Sequence, residues 1–331
     1  MATQGNIIRA SDYNVVQAAI SKILGDRISN GNDSDRATYG YGQTVTSSQV
    51  NINNTIISSQ DIAKLKVDLL KIIAHQGLSQ NPNWTSGTLT SIPVLPTVAS
   101  GDLIDNDHLT AFENAIPSIT NITNRFAVAS GQYSLESFTP DISQTRTTVW
   151  GSNSKPTIRH SFAIDFGSEL NARYFFNSGG YLNLSGSFTP RITSSQNQAW
   201  RNLLSDMGDV KFNYGNTTAN SGTGSSIGFY QLTTTPQTVF TKTGQGSYVA
   251  AYATNYYTIT MSCDVANNSV GGARYIYVNA YFTDSHTKPL NNQIKDTVDG
   301  TLVHNVKIRR ATGSNVNVVK PTANNTTLLT A

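Results

Sequence analysis

The segment "FTDSHTKPLNNQIKDTVDGT" brings Asp284, His286, Asp296 and Asp299 into one hairpin-like stretch. Carboxylate oxygens and an imidazole nitrogen can ligate a divalent cation, which makes these four the candidate metal residues. The same residue types also cap the backbone of a long turn. Hard cations usually take more carboxylates than this segment offers, so the turn reading is preferred and no metal or other cofactor is expected.

Other chemistry-bearing residues are sparse. Asp33 and Asp35 in "NGNDSDRATYG" resemble the start of a calcium loop, but the acidic residue required at its twelfth position is missing. His75 falls near a helix end, where a partly charged imidazole would suit the dipole. His160 and His304 lie on strand-like runs without an Asp or Ser partner in sequence, which points to buried, hydrogen-bonded histidines. Cys263, the one cysteine, excludes a disulfide within the chain and reads as packing. "GTGSSIG" (222–228) is glycine-rich, yet no Lys and no helix follow it, so phosphate binding is not expected. No GxSxG, P-loop, HExxH or CxxC pattern occurs, and the chain is expected not to be an enzyme. Distant carboxylate pairs of the glycosidase kind leave no sequence signature, so polysaccharide cleavage is the least favoured reading. Tyr39, Tyr41, Tyr214 and Tyr230 sit in or beside Gly- and Asn-rich segments. They suit subunit contacts, where Tyr is enriched, and also sugar binding.

The elements that would position these residues fall into two halves. In the first, one phrase recurs. Tyr13, Val16, Ile20, Ile23 and Leu24 reappear 49 positions on as Ile62, Leu65, Leu69, Ile72 and Ile73. A further 47 positions on stand Leu109, Phe112, Ile116 and Ile119. The spacing sets each group on one helical stripe. Paired apolar residues precede each helix: Ile7-Ile8, Ile56-Ile57 and Leu103-Ile104. Ser11, Ser59 and Asp105 or Asn106 are the expected caps, with Asp12, Asp61 and Asp107 in the first turns. Gly25 and Gly77 should stop the first two helices, and Pro117 should kink or break the third. Long connectors separate the helices, and their pieces "QTVTSSQVNI" and "GTLTSIPVL" could form hairpins. Three short stripes make a small core, and such connectors are costly to order. The stripes are therefore read as an assembly face, with residues 1–130 as a helical attachment and oligomerisation region.

After about residue 130 the period changes to two. Segments 157–166, 181–188, 256–265, 273–282 and 302–311 alternate and are rich in β-branched and aromatic residues. Further candidate strands are 145–150, 171–176, 209–214, 226–232, 236–241 and 247–252. One helix interrupts them, capped by Ser194 or Ser195, with Trp200, Leu203, Leu204 and Met207 on one face and Gly208 as its stop. "FNSGG" (176–180) and "VGG" (270–272) read as tight turns. The fold class is thus α+β: a repeat-containing helical region with short β hairpins, then an all-β sandwich or jelly roll over 131–331 carrying one helix.

Charged residues are 13% of the chain and the net charge is +3, too weak a balance to indicate nucleic acid. The 15 Tyr, 12 Phe and 3 Trp can fill folded cores. The opening "MATQGNIIRASDYN" has no secretory pattern, and no apolar run is long enough to span a membrane. Synthesis in a cytosol combined with a polar, uncharged surface suits virus particle proteins.

"ARYFFNSGGYLNLSGSF", "QNQAWRNLLSDMGDVKF", "YFTDSHT" and "DTVDGTL" resemble the C-terminal domain of tail-fibre-like virion structural proteins of tailed bacteriophages, of the cyanophage and marine phage type. "IIRASDYN", "GYGQ" and "ISSQDIAKLKVDLLK" look like the N-terminal part of the same proteins. The resemblance covers most of the chain. It implies a structural protein of a tail, baseplate, neck or head fibre, assembled in the host cytoplasm and located in the virion. Its implied partners are other tail, baseplate or neck proteins and further copies of itself, as a homotrimer. A receptor-binding domain for host-surface glycan is the alternative function. The resemblance supplies no catalytic residue.

Overall fold

The structure is a computed structural model. It describes residues 8–26, 39–52, 57–86, 88–102, 104–132, 140–151, 156–244, 252–285 and 297–326. The chain forms two compact units. The first comprises 1–135 with two later excursions, 173–179 and 310–319. The second comprises 136–172, 180–309 and 320–331.

The first unit is helical. Its core is built from α1 (Ala10–Leu24), α2 (Ser59–Gln76) and α3 (Asn106–Thr120), which pack against one another pairwise. Tyr13, Val16, Ile20 and Ile23 of α1 meet Ile62, Leu65, Leu69 and Ile72 of α2 and Leu109, Phe112 and Ile119 of α3, all of them buried. These stripes therefore cover one another within a single chain. They form the interior of the helical unit, not a face open to a second subunit. Ile116 is only half-buried, and Ala115 takes the inner position beside it. That shift fits the strict helical period, which rotates slowly away from a fixed 3-4-3 spacing.

The three helix entries differ. Ser58, not Ser59, caps α2 by accepting from the Asp61 N–H, while the Asp61 carboxylate accepts from the Ser58 N–H. Asp105 caps α3 in the same reciprocal way with His108. Ser11 lies inside α1, which begins after Arg9 without a side-chain cap. Gly77 closes α2 with φ of 77°, where its N–H reaches the Ile73 carbonyl. α3 runs through Pro117 to Thr120, and the short α4 (Ile122–Arg125) follows Asn121. Ile7, Ile56 and Leu103 lie outside the described residues.

The connectors are ordered from within the unit. The carboxylate of buried Asp68 on α2 accepts from the N–H of Thr46 (2.9 Å), the Thr46 hydroxyl (2.6 Å) and the N–H of Ser47 (2.7 Å). Asn14 of α1 makes two bonds to the Val50 backbone, and Gln17 donates to the Ser47 carbonyl. The stretch 43–51 thus has no regular secondary structure, and side chains hold its backbone. In the second connector β1 (Ser79–Gln80) pairs with β2 (Ser91–Ile92) in parallel, so this is not a hairpin. Lys66 donates to the Leu95 carbonyl and the Thr97 hydroxyl, and Trp84 Nε1 donates to the Ser91 carbonyl.

The excursion 173–179 enters the helical unit as the end of α5 (Glu169–Asn177), over a stretch whose sequence reads as a strand. Asn177 donates to the carbonyls of Tyr39 and Gly40. A Cβ on Gly42 would lie 2.4 Å from the Tyr174 ring, and one on Gly179 would lie 2.6 Å from the Phe126 carbonyl oxygen. Both glycines have positive φ, so close approach and backbone conformation each require them.

The second unit holds two five-stranded sheets. One is ordered β3 (Ile142–Arg146), β11 (Gly300–Arg309), β5 (Tyr181–Pro190), β6 (Val210–Phe212), β7 (Thr217–Ala219). The other is ordered β12 (Thr322–Asn325), β4 (Thr157–Asp165), β10 (Tyr275–Thr283), β9 (Tyr256–Cys263), β8 (Gln237–Thr243). Every pairing in them is antiparallel. Period-two alternation places Ile276, Val278, Ala280 and Phe282 of β10 inside, with Leu302, His304, Val306 and Ile308 of β11.

Both pairs of sheet edges are bridged. Ser225 exchanges two backbone hydrogen bonds with Thr217 of β7, and two residues earlier Thr223 exchanges two with Thr241 of β8. The glycine-rich "GTGSSIG" is this bridge. A Cβ on Gly224 would fall 2.1 Å from the Thr217 carbonyl oxygen, and Gly222 has φ of 112° against the Phe240 ring. At the other edges Gln144 of β3 accepts from the Ser161 N–H and donates to the carbonyls of Ser161 and Thr326. Unpaired strand edges invite foreign strands, and here they are closed internally.

α6 (Ser195–Met207) has Ser194 as its cap and Gly208 as its stop, and buries Trp200, Leu203, Leu204 and Met207. Leu204 sits over Gly186 of β5, and Trp200 touches both Trp150 and Phe282. Segment 226–232 contains a 3-10 turn at Phe229–Gln231, not a strand. Most of 247–252 lies outside the described residues.

Candidate functional site

Two of the four candidate metal residues are described, and both are engaged with α6. Asp284 is buried, and its carboxylate accepts from Gln196 in the first turn of that helix. Asp299 accepts from Arg191 at 2.9 Å, and its backbone makes two hydrogen bonds with the Asn197 side chain. Adjacent residues of one helical turn thereby hold both ends of the segment 284–299. His286 and Asp296 lie outside the described residues, as do Asp33 and Asp35. Among the described residues, no group of three or more His, Cys, Asp or Glu side chains is placed to hold a metal ion.

The histidines are interior. His75 is buried, and its Nε2 donates to the Ser178 carbonyl at 3.1 Å. Burial lowers its pKa to about 4, so the ring is neutral, where the sequence suggested partial charge at a helix end. His160 of β4 and His304 of β11 are both buried between the sheets, with ring centroids 6.3 Å apart. The Tyr257 hydroxyl meets His304 Nε2 at 2.7 Å. His160 makes no hydrogen bond with either ring nitrogen, against the expectation of a satisfied histidine. It is surrounded instead by rings, including Phe282 at 5.4 Å. Cys263 is buried and its thiol donates to the Val265 carbonyl, while burial raises its pKa.

Of the loop tyrosines, Tyr41 and Tyr230 are buried and so cannot meet a sugar. Tyr41 donates to the Arg125 carbonyl at 2.6 Å and accepts from Gln76. Tyr39 is half-buried between Lys22 and Arg125.

The outer faces of the two sheets were not anticipated. On β10 the residues that alternate with the core are Tyr275, Tyr277, Asn279 and Tyr281. Tyr277 is 38% exposed, and its ring runs parallel to that of Tyr275 at 6.3 Å. Arg274 binds Asp165 through two nitrogens at 2.8 Å, which with other hydrogen bonds holds that carboxyl down at about 2. The signal was present in "ARYIYVNAYF", where from Tyr275 on every second residue is Tyr or Asn. On the other sheet Tyr181, Asn183, Lys211, Lys307 and Arg309 point outward. Beside β7 an open cleft of about 590 Å³ is lined by Gly215–Ala219 and Gly224–Ser226, without charged or aromatic residues.

No protein-family model, curated protein or solved structure matches the chain. No helix among the described residues is long and apolar enough to cross a membrane.

Proposed function

We propose that this chain is a non-enzymatic structural protein of a tailed-phage virion that forms or anchors a tail or baseplate appendage. The observation that carries the reading is the use made of the titratable side chains. The buried histidines, Asp68, Asp284 and Cys263 are enclosed in packing or backbone-holding roles, and the outward positions of both sheets carry mostly Tyr, Thr, Asn and Ser, with a few Lys and Arg. Such a molecule is built to persist and to present surface. The phrases "IIRASDYN", "GYGQ" and "YFTDSHT" support the particle assignment by resemblance, and a neck or head fibre is the alternative place. In this proposal the two-sheet unit is a sandwich and the helical unit descends from a threefold repeat. A homotrimer is carried over from the resemblance, with outward residues such as Val15 making the contacts in place of the buried stripes.

Mass spectrometry of gradient-purified particles tests the proposal. The chain should appear in stoichiometric ratio to known tail components. Its absence from intact particles would overturn the reading.

A second reading is favoured by the sheet faces: the two-sheet unit recognises host-surface glycan. Flat strands bearing hydroxyl, amide and phenol groups match the hydroxyl-rich edges and apolar faces of sugar rings.

A further inference from the structure

We propose that the outer face of the β12–β4–β10–β9–β8 sheet binds a neutral, extended polysaccharide along the tyrosine column Tyr275, Tyr277 and Tyr281, with the Asn279 amide between the last two. This inference rests on the glycan reading above and names the glycan's charge, its shape and its site.

Strand register builds the column. All four residues lie on β10, the middle strand of its sheet, and alternate with the buried Ile276, Val278 and Ala280. Tyr277 and Tyr281 are about 13 Å apart along the strand. Small side chains flank Tyr277 on both sides, Ala163 on β4 and Ser262 on β9. No bulky cross-strand neighbour covers its ring, which is the most exposed of the three. Tyr275 is steadied from the strand's start. The Arg274 guanidinium lies 4.8 Å from its ring centroid, and Asp165 grips that guanidinium through two nitrogens. The Tyr275 and Tyr277 rings are parallel to within 8°. Ser161 donates to Asn279 Oδ1 at 2.7 Å, while Asn279 Nδ2 makes no hydrogen bond among the described residues and stays open to solvent. The platform is therefore set before a ligand arrives, which lowers the ordering cost of binding.

Charge and composition choose the occupant. The outward positions of the five strands carry only two charged residues, Arg159 and Asp165. Asp165 is taken up by Arg274, and Asp264 beside it accepts from the N–H groups of Arg274 and Tyr275. Glu169 lies beyond them, near Gly272. Arg159 and Arg274 thus stand against three carboxylates, which leaves no cationic surplus to draw an acidic chain or nucleic acid. The same outward positions carry no Val, Leu, Ile, Met or Phe, whereas the core of a protein interface is richer in apolar side chains. A pyranose offers a face of C–H groups to a tyrosine ring and hydroxyls to the Asn279 amide. A straight column of rings on one strand suits a glycan whose sugars follow one another as a flat ribbon, as in cellulose or mannan, and not a coiling chain.

Affinity electrophoresis of the full-length protein through gels containing hydroxyethylcellulose, galactomannan, dextran or polygalacturonate tests the assignment. At least one of the first two, the ribbon-like neutral glycans, should retard the wild type, and added salt should not diminish the effect. Dextran and polygalacturonate should not retard it. Tyr277→Thr, which keeps a strand-forming residue, should weaken retention about fivefold or more, as truncation of an aromatic anchor does. Tyr277→Phe should keep most of the retention, because the ring makes the contact. Tyr181→Ala, on the outer face of the other sheet, should behave as the wild type. Circular dichroism of all three variants should match the wild type, since the side chains face outward. Retardation that survives Tyr277→Thr, or that Tyr181→Ala reduces as much, would overturn the site while the glycan reading stands. Equal or stronger retardation by dextran or polygalacturonate would overturn the assigned shape or charge. No retardation in any gel would overturn both the site and the glycan reading.

Discussion

His160 and His304 face each other from opposite sheets of the second unit, 6.3 Å apart between ring centroids and both fully enclosed. Burial lowers the pKa of His160 to about 4, with Arg146 adding to the effect. Burial lowers that of His304 to about 3, with His160 adding to it. Both rings are therefore neutral in the folded chain at neutral pH. Protonating the pair would place two like charges between the sheets, beside Arg146 and the Tyr257 hydroxyl.

The sign of the pH dependence follows. Between the ordinary value of 6.5 and these lowered values, the unfolded chain binds more protons than the folded one. The stability contributed by neutral burial is fully present above 6.5 and is lost as pH falls toward 4 and 3. Each histidine should cost about 1.4 kcal/mol per pH unit within that window. Urea melts of the full-length protein between pH 6.5 and pH 5, above the carboxylate range, should show a falling midpoint.

His160→Leu should flatten that slope. The ring has no hydrogen bond to lose, so at neutral pH the variant should be neutral to about 1 kcal/mol more stable. His304→Leu should instead destabilise, because it strands the Tyr257 hydroxyl. Opposite signs for the two substitutions, read from denaturant melts, check the account.

Asp68 is the polar anchor of the first connector. Asp68→Ala would leave the N–H groups of Thr46 and Ser47 without their acceptor, at a cost of about 2–4 kcal/mol. Amide hydrogen exchange at Thr46 and Ser47 should accelerate more than exchange in the middle of α3.

The sequence of the helical unit shows its core but not how its connectors are held. Tyr13, Leu65 and Phe112 are legible because burial follows the helical period. The anchoring of Thr46 by Asp68 is not, because a carboxylate on a helix face normally signals solvent. Costing the connectors by conformational entropy alone led to an assembly face, whereas a few side chains order them within the chain. In the β half, the strands with clean alternation are found close to the expected limits. The stretch 171–176 misleads because "NARYFF" carries strand-forming residues, and tertiary packing of Phe175 and Phe176 makes it helical. The outer tyrosines of β10 are legible in its alternation, whereas the outer face of the other sheet could not be recognised before strand register placed Lys307, Asn183 and Lys211 in one row.

Gly224→Ala should cost about 2 kcal/mol or more, since the added Cβ meets the Thr217 carbonyl oxygen and the inter-edge bridge must shift. Gly215→Ala, whose Cβ would meet nothing within 4 Å, is the neutral control. Thermal melts of the two variants should separate them clearly.

Leu65 and Val15 distinguish core from contact surface. Leu65→Asp puts an unpaired charge in a fully buried site and should unfold the helical unit. Val15, 69% exposed, should tolerate Asp without loss of helicity. If Val15 lies in a subunit contact, light scattering will show a smaller particle for Val15→Asp while its circular dichroism is unchanged.

The central claim is that this chain is a built-in part of a phage particle. A density map of the intact virion, at a resolution that distinguishes a three-helix core from a pair of five-stranded sheets, tests it most directly. The account predicts that both units fit repeated density on the tail, baseplate or neck. A complete map in which every density is assigned to other chains would contradict it.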